Sequence, residues 1–286
     1  MDKVILGVDA GNYMAKVVGP YGTDKFRTNI CDWFVRDVEE TFGNDDMEFE
    51  INGRKGFAGT IALYEDEFGS GSMYGDTKAH DDTQIRVLLA IYRYLEKYCP
   101  KTSHVSVVVG QPIKTHKKPE KERIIKMLEG VHSPTVNSKA RSFQIDKVGV
   151  AAEGSAAFWS NPMDNEIRII DCGSSTINAA TIRDNKHINN YSGTFNFGTE
   201  TANKKGDLEG IAQGIIRRTT ELKWNKSDKV LICGGSAEGI FHHLVKHFSN
   251  AEILKPKYKS RNGVELLNPI YANANAFYEI AKGVFR

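Results

Sequence analysis

The sequence predicts an α/β fold of two lobes related by an internal duplication. A buried-looking strand ending in Asp-x-Gly occurs twice: Val4-Ile5-Leu6-Gly7-Val8 runs into Asp9-Ala10-Gly11-Asn12, and Arg168-Ile169-Ile170 runs into Asp171-Cys172-Gly173-Ser174-Ser175. Each copy is followed by a second apolar run, Met14 to Val18 or Ile177 to Ile182, so each reads as a β-hairpin with glycine at its turn. Strand hairpins then alternate with helical patterns in both halves, as in an α/β chain carrying a repeat. At 286 residues the chain exceeds one average domain, which suits lobes at 1–150 and 151–286.

In order along the chain, Lys25 to Ile30 supplies a third strand after the first hairpin. Residues 35–78 change character: acidic stretches alternate with strand-like pieces, and glycine recurs at Gly53, Gly56, Gly59, Gly69, Gly71 and Gly75. This reads as a small subdomain inserted into the first lobe. Asp82-Thr83 is the expected N-cap of a helix with Ile85, Leu88, Leu89, Tyr92 and Leu95 on one face, stopped by Pro100. His104 to Val109 is a buried strand, Pro119 to Leu128 a helix, and Ile145 to Phe158 the crossing into the second lobe. There the hairpin is followed by a strand near Lys186–Tyr191, a helix carrying Leu208, Ile211, Ile215 and Leu222, a strand at Lys229 to Cys233, a helix with Ile240 and Leu244, and a last helix from Tyr271 to Lys282.

Composition narrows the function. Lys plus Arg is 38 and Asp plus Glu is 36, so no overall basic field marks nucleic acid as the main ligand. The basic run Lys114 to Lys121 reads as a solvated loop ahead of a DNA-facing patch. Cys31, Cys99, Cys172 and Cys233 lie far apart without metal-ligand spacing, which fits a reduced cytoplasm better than a disulfide framework. No apolar run approaches ~18 residues, so the chain is expected to be soluble, neither exported nor membrane-spanning.

The two turns carry the chemistry. Glycine lets the backbone aim several N–H groups at one anion, and an adjacent Asp can hold a metal ion directly or through water. Two such turns facing each other would clamp a nucleotide's phosphates from both sides. Either Asp-x-Gly alone is an ordinary turn; the duplication and the apolar strand before each favour the phosphate-and-magnesium reading.

Five segments in fixed order resemble the actin, sugar kinase and heat-shock chaperone superfamily. Asp9-Ala10-Gly11-Asn12 with Lys16 resembles its first phosphate loop, and Val150 to Ala157, containing Glu153-Gly154, resembles its first interlobe connection. Asp171 to Thr176 resembles the second phosphate loop, Leu231 to Ala237 with Gly234-Gly235-Ser236 the adenosine loop, and Asn268 to Ala274 the second connection. The Asn-Pro-x-x-Ala-Asn-Ala segment and Gly56 to Gly59 are similar to bacterial plasmid-segregation actins of the ParM-like and AlfA-like type. Only 62 residues lie between Asp171 and Gly234, so the second lobe has almost no room for its usual small subdomain, a trait of AlfA-like filaments.

The resemblance implies a two-lobed actin-like fold of duplicated ribonuclease H-like domains. It implies ATP or GTP with Mg²⁺ between the lobes, Asp9 and Asp171 holding the metal mostly through its waters, and Gly11, Asn12, Lys16, Gly173, Ser174 and Ser175 on the phosphates. Glu153 and Asp171 would be catalytic, Glu153 placing the water that attacks the γ-phosphate. Gly234, Gly235 and Ser236 would meet adenine and ribose, with Glu200, Asn203 and Lys204 more loosely matched. The family often has Pro after this Glu where this chain has Gly154. The implied function is a cytoplasmic bacterial ATPase that polymerises into helical filaments and segregates plasmid DNA through a DNA-bound adaptor, touching DNA only indirectly and no membrane. A small-molecule kinase on the same core and a nucleotide-gated binding protein that does not polymerise remain the alternatives.

Overall fold

The computed structural model describes residues 3–38, 42–65, 77–202, 206–260 and 263–285. Both predicted hairpins form. The first consists of β1 (Lys3–Ala10) and β2 (Met14–Gly19), extended by β3 (Gly22–Arg27). The chain leaves this sheet for β4 (Ile30–Asp32), β5 (Met47–Ile51), β6 (Arg54–Ala58) and helix α1 (Thr60–Glu65). It returns through α2 (Asp81–Tyr98), β7 (His104–Gln111) and α3 (Lys118–Leu128), and then β8 (Gly130–His132), β9 (Thr135–Val136), β10 (Lys139–Ala140) and β11 (Phe143–Ala152) follow. The first sheet has the order β3-β2-β1-β7-β11-β8, with β7 parallel to both β1 and β11. A second, smaller sheet has the order β10-β9-β5-β6-β4. It is therefore larger than the insertion expected at 35–78, taking one strand from before that range and two from after β8.

After a 3-10 turn at Ala156–Ser160 the pattern repeats with β12 (Ile167–Cys172), β13 (Ile177–Arg183), β14 (Lys186–His187), β15 (Gly193–Phe195), α4 (Leu208–Glu221), β16 (Lys229–Cys233), α5 (Ala237–Leu244) and β17 (Asn250–Ile253). The order β14-β13-β12-β16-β17 reproduces β3-β2-β1-β7-β11: an antiparallel hairpin followed by two parallel strands. Among the described residues between β15 and α4 there is no further strand or helix, and so no described counterpart of the small sheet. A hairpin, β18 (Lys257–Ser260) with β19 (Gly263–Leu266), precedes the last helix, α6 (Ala272–Val284).

Further features differ from the sequence expectation. Helix α6, read as part of the second lobe, packs on the first sheet: Ala276, Phe277 and Ala281 cluster with Val108, and Ala274 and Tyr278 with Val18. A small-residue helix face allows that close approach. The N-cap of α2 is His80, not Asp82-Thr83. Its ring Nδ1 accepts the Thr83 N–H at 3.3 Å, while the Asp82 carboxylate is taken by Arg54 at 2.7 Å. Burial, followed by the nearby Arg86, holds the His80 imidazole down at about 4, so the ring stays neutral and able to accept.

Helix α2 is buried far beyond its predicted face, with Arg86, Val87, Ala90, Ile91 and Tyr94 all enclosed. Its inner side packs on the first sheet, and other positions bind the small sheet and the β2–β3 hairpin. Arg54 pairs with Asp82, Tyr92 donates to the Lys139 carbonyl, and Arg93 donates to Asp24 at 2.7 Å. The helix therefore fixes the small sheet relative to the first hairpin. None of the four cysteines is in a disulfide, and among the described residues no helix is long and apolar enough to cross a membrane.

Candidate functional site

The two Asp-x-Gly turns face a single cavity of about 410 Å³, within the range of small-molecule sites. Asp9, Gly11, Asn12 and Lys16 line it from the first hairpin, and Asp171, Gly173, Ser174 and Ser175 from the second. Glu153, Glu200 and the Gly234-Gly235-Ser236 turn, also expected from the sequence, line the same cavity. Asn203 and Lys204 lie outside the described residues.

The hairpins are built alike. Asp9 pairs in register with Lys16, and Asp171 with Asn178, each partner seven positions on. A Cβ on Gly11 would stand 2.8 Å from the Met14 carbonyl oxygen, and one on Gly173 would stand 2.6 Å from that of Thr176, so both tight turns require glycine. The first turn is braced from outside: Thr28 Oγ1 donates to the Gly11 carbonyl at 2.9 Å, and the buried Arg86 donates to Asn12 Oδ1 at 3.0 Å. The second is tied to the segment before α4, where Glu200 N donates to the Ser174 carbonyl at 2.9 Å and Thr201 Oγ1 to that of Ser175 at 3.0 Å. Ser236 Oγ donates to the Cys172 carbonyl at 3.3 Å, joining the Gly-Gly-Ser turn to the same loop.

Three carboxylates meet here in near-complete burial: Asp9 and Asp171 are 6% exposed and Glu153 is 8%. Two amines oppose them. Lys16 Nζ lies 3.1 Å from Asp9 Oδ2, and Lys78 Nζ lies 3.8 Å from Glu153 Oε1. Burial is the main cause that pushes the Glu153 carboxyl up to about 7, with Asp9 and Asp171 adding to the rise and Lys78 and Lys16 resisting it. Burial also raises Asp171, against hydrogen bonds from Asn273 Nδ2 at 3.0 Å and Asn178 Nδ2 at 3.5 Å.

Glu153 follows directly on β11, with its N–H bonded to the Gln111 carbonyl at 2.9 Å. The next residue, Gly154, has φ +72 and donates its N–H to Asn273 Oδ1 at 3.0 Å. Proline could supply neither that dihedral nor that donor, so the connection requires the glycine found here. Asn273, in the first turn of α6, thus holds the Glu153 connection with one side-chain atom and Asp171 with the other.

Lys78, Asn178 and Asn273 also line the cavity and were not singled out from the sequence. Asn178 was accessible as the counterpart of Lys16 in the repeat, and Asn273 lay inside a recognised segment. Lys78 carried no signal, because only tertiary folding brings the approach to α2 over the first hairpin.

Among the described residues no group of three His, Cys, Asp or Glu side chains could hold a metal ion by itself. Two buried carboxylates do suit Mg²⁺, which keeps several waters and takes further oxygens from substrate phosphates.

Residues 7–155 match the sequence model described as the N-terminal domain of actin-like proteins. This chain belongs to the actin-like proteins. The fold of this actin-like protein is similar to that of AlfA from a B. subtilis plasmid in its filament, with TM-score 0.76, 20% identity, and 96% of this chain and 97% of that one covered. An AlfA filament bound to AMPPNP matches with TM-score 0.76 and 19% identity over 99% of each chain. A 15-stranded ParM filament from Clostridium botulinum matches with TM-score 0.76 and 16% identity, covering 99% of this chain and 100% of that one. No curated protein sequence matches the chain.

Proposed function

We propose that this actin-like protein is a nucleotide-dependent, filament-forming ATPase of the bacterial cytoplasm that drives plasmid DNA segregation through a DNA-bound adaptor. The observation that carries the reading is the convergence of two Asp-x-Gly hairpins and a buried Glu on one cavity between two sheets. The AMPPNP-bound AlfA filament and the ParM filament of the same fold support it.

In this reading ATP or GTP lies across the cavity. The N–H groups of the turns at Gly11–Asn12 and Gly173–Ser175, together with Lys16, receive the phosphates, and Gly234-Gly235-Ser236 and Glu200 receive the nucleoside; Lys204 would extend that contact. Asp9 and Asp171 would hold Mg²⁺, which would supply charge neutralisation on the phosphates. Glu153 orients a water toward the terminal phosphate and accepts its proton as the loose transition state forms. A ligand gripped by both hairpins favours one angle between the lobes, and that angle presents the two faces of a head-to-tail contact, which builds an open helical polymer.

Sedimentation and electron microscopy with ATP·Mg²⁺ or AMPPNP test the proposal. Pelletable filaments above a critical concentration are expected, with slow phosphate release that quickens on assembly. A protein that stays monomeric across nucleotides, or consumes ATP only when a hydroxyl substrate is supplied, would contradict it and support a kinase.

A further inference from the structure

The two amines of the cleft have separate partners. Lys16 Nζ is paired with Asp9, whereas Lys78 Nζ donates to the Ala10 carbonyl at 3.1 Å and faces Glu153 Oε1 at 3.8 Å. Among the described residues no other side chain makes an ion pair or hydrogen bond with the Glu153 carboxylate. Lys78 is only 8% exposed, so its ammonium is committed to these neighbours in place of bulk water.

The backbone that carries Lys78 is held on both sides. Before it, Thr77 Oγ1 donates to Glu120 Oε2 on α3 at 2.6 Å and accepts the Ala79 N–H at 3.1 Å. After it, His80 caps α2. The amine is therefore placed by helices α2 and α3 before any ligand enters. A fixed cation at this distance selects among the rotamers of a buried glutamate whose stem already packs against Gly110.

We infer that Lys78 is a positioning residue for Glu153: anchored on the Ala10 carbonyl, its ammonium fixes the direction in which the carboxylate meets the attacking water and ties that direction to the first hairpin. The inference rests on the reading of Glu153 as the residue that places the water. A simple phosphate contact by Lys78 would instead act on nucleotide affinity, and a packing role would act on folding.

A double-mutant cycle separates these roles. Lys78→Met, Glu153→Gln and the double variant are compared in phosphate release, AMPPNP dissociation constant and thermal midpoint. Lys78→Met is expected to lower kcat at least about tenfold, to leave AMPPNP affinity within about threefold, and to reduce kcat by less than about twofold further in the Glu153→Gln background. Lys78→Gln, which keeps a donor for Ala10 without the charge, provides the same reading should Lys78→Met fail to fold. Parent-like kcat in a folded Lys78 variant beside a slow Glu153→Gln, losses that multiply in the double variant, or a loss confined to AMPPNP affinity would each overturn the inference. If Glu153→Gln itself turns over like the parent, or the parent shows no turnover, the reading of Glu153 falls and the inference with it, a result visible without any Lys78 variant.

Discussion

The two hairpins share strand order, register and turn geometry, yet they differ at the position opposite each aspartate. Asp9 faces Lys16, a cation 3.1 Å away, whereas Asp171 faces Asn178 and is also bonded by Asn273 and by the Cys233 thiol, so its side-chain hydrogen bonds come from neutral groups. The same backbone therefore presents two electrostatic surfaces. The first hairpin compensates its own carboxylate and brings a positive group to the cleft. The second holds its carboxylate with neutral donors that do not offset its charge, and burial raises its proton affinity against their hydrogen bonds. Within the proposed function, the duplication has divided the work: the first turn is suited to the triphosphate and the second to the cation that accompanies it.

The strongest way to break this contrast is to neutralise each aspartate in turn. Asp171→Asn is expected to abolish the gain in AMPPNP affinity that Mg²⁺ confers on the parent, on the order of 100-fold, because a buried charge partner is removed. Asp9→Asn should keep part of that gain, since Lys16 then remains free to meet phosphate. Nucleotide titrations with and without Mg²⁺ decide it, and equal losses in the two variants would erase the proposed division.

Much of this arrangement was legible in the sequence, for identifiable reasons. Apolar runs that stop at Asp-x-Gly gave β1, β12 and their hairpin partners, and β16 is the predicted Lys229 to Cys233 strand. β1, β12 and β16 lie in the interior of their sheets, where burial on both faces writes a largely apolar run. The two-residue strands β9 and β10 are too short to show any period, so the extent of the small sheet was hidden. Arg86 and Tyr94 on α2 were unreadable as buried, because their enclosure depends on the small sheet and on the β2–β3 hairpin, not on the helix itself. Lys78 belongs with them: its role depends on where a connecting segment is carried, which spacing along the chain does not encode.

A second prediction uses Glu153, which feels both hairpins at once. Its carboxyl is held at about 7 against an ordinary 4.5, so the folded protein keeps this proton to higher pH than the unfolded chain does. The associated stability is fully present below the unfolded value and is lost as pH rises through the folded one. Glu153→Gln cannot ionise and escapes that loss. The nucleotide-free variant should therefore be more stable than the parent at about pH 8, by no more than about 3 kcal/mol, and the gap should close near pH 4.5. Thermal unfolding at several pH values checks the sign; a variant less stable than the parent at high pH would contradict the account of the buried cluster.

The smallest expected effect sharpens the comparison from the other side. Lys16→Asn makes the first hairpin resemble the second, and should weaken AMPPNP binding about tenfold while leaving its Mg²⁺ dependence in place. The loss should shrink as salt is added, because a charge contact is screened and a hydrogen bond much less so. Unchanged affinity in this variant would assign Lys16 to Asp9 alone.

The central claim is that one nucleotide is gripped by both hairpins. A structure of the protein with AMPPNP and Mg²⁺ tests it most directly. The account predicts phosphates between the turns at Gly11–Asn12 and Gly173–Ser175, a hydrated Mg²⁺ nearer Asp171 than Asp9, and Glu153 facing the terminal phosphate across a water. A nucleotide bound elsewhere, or held by one hairpin with the other turned to solvent, would contradict it.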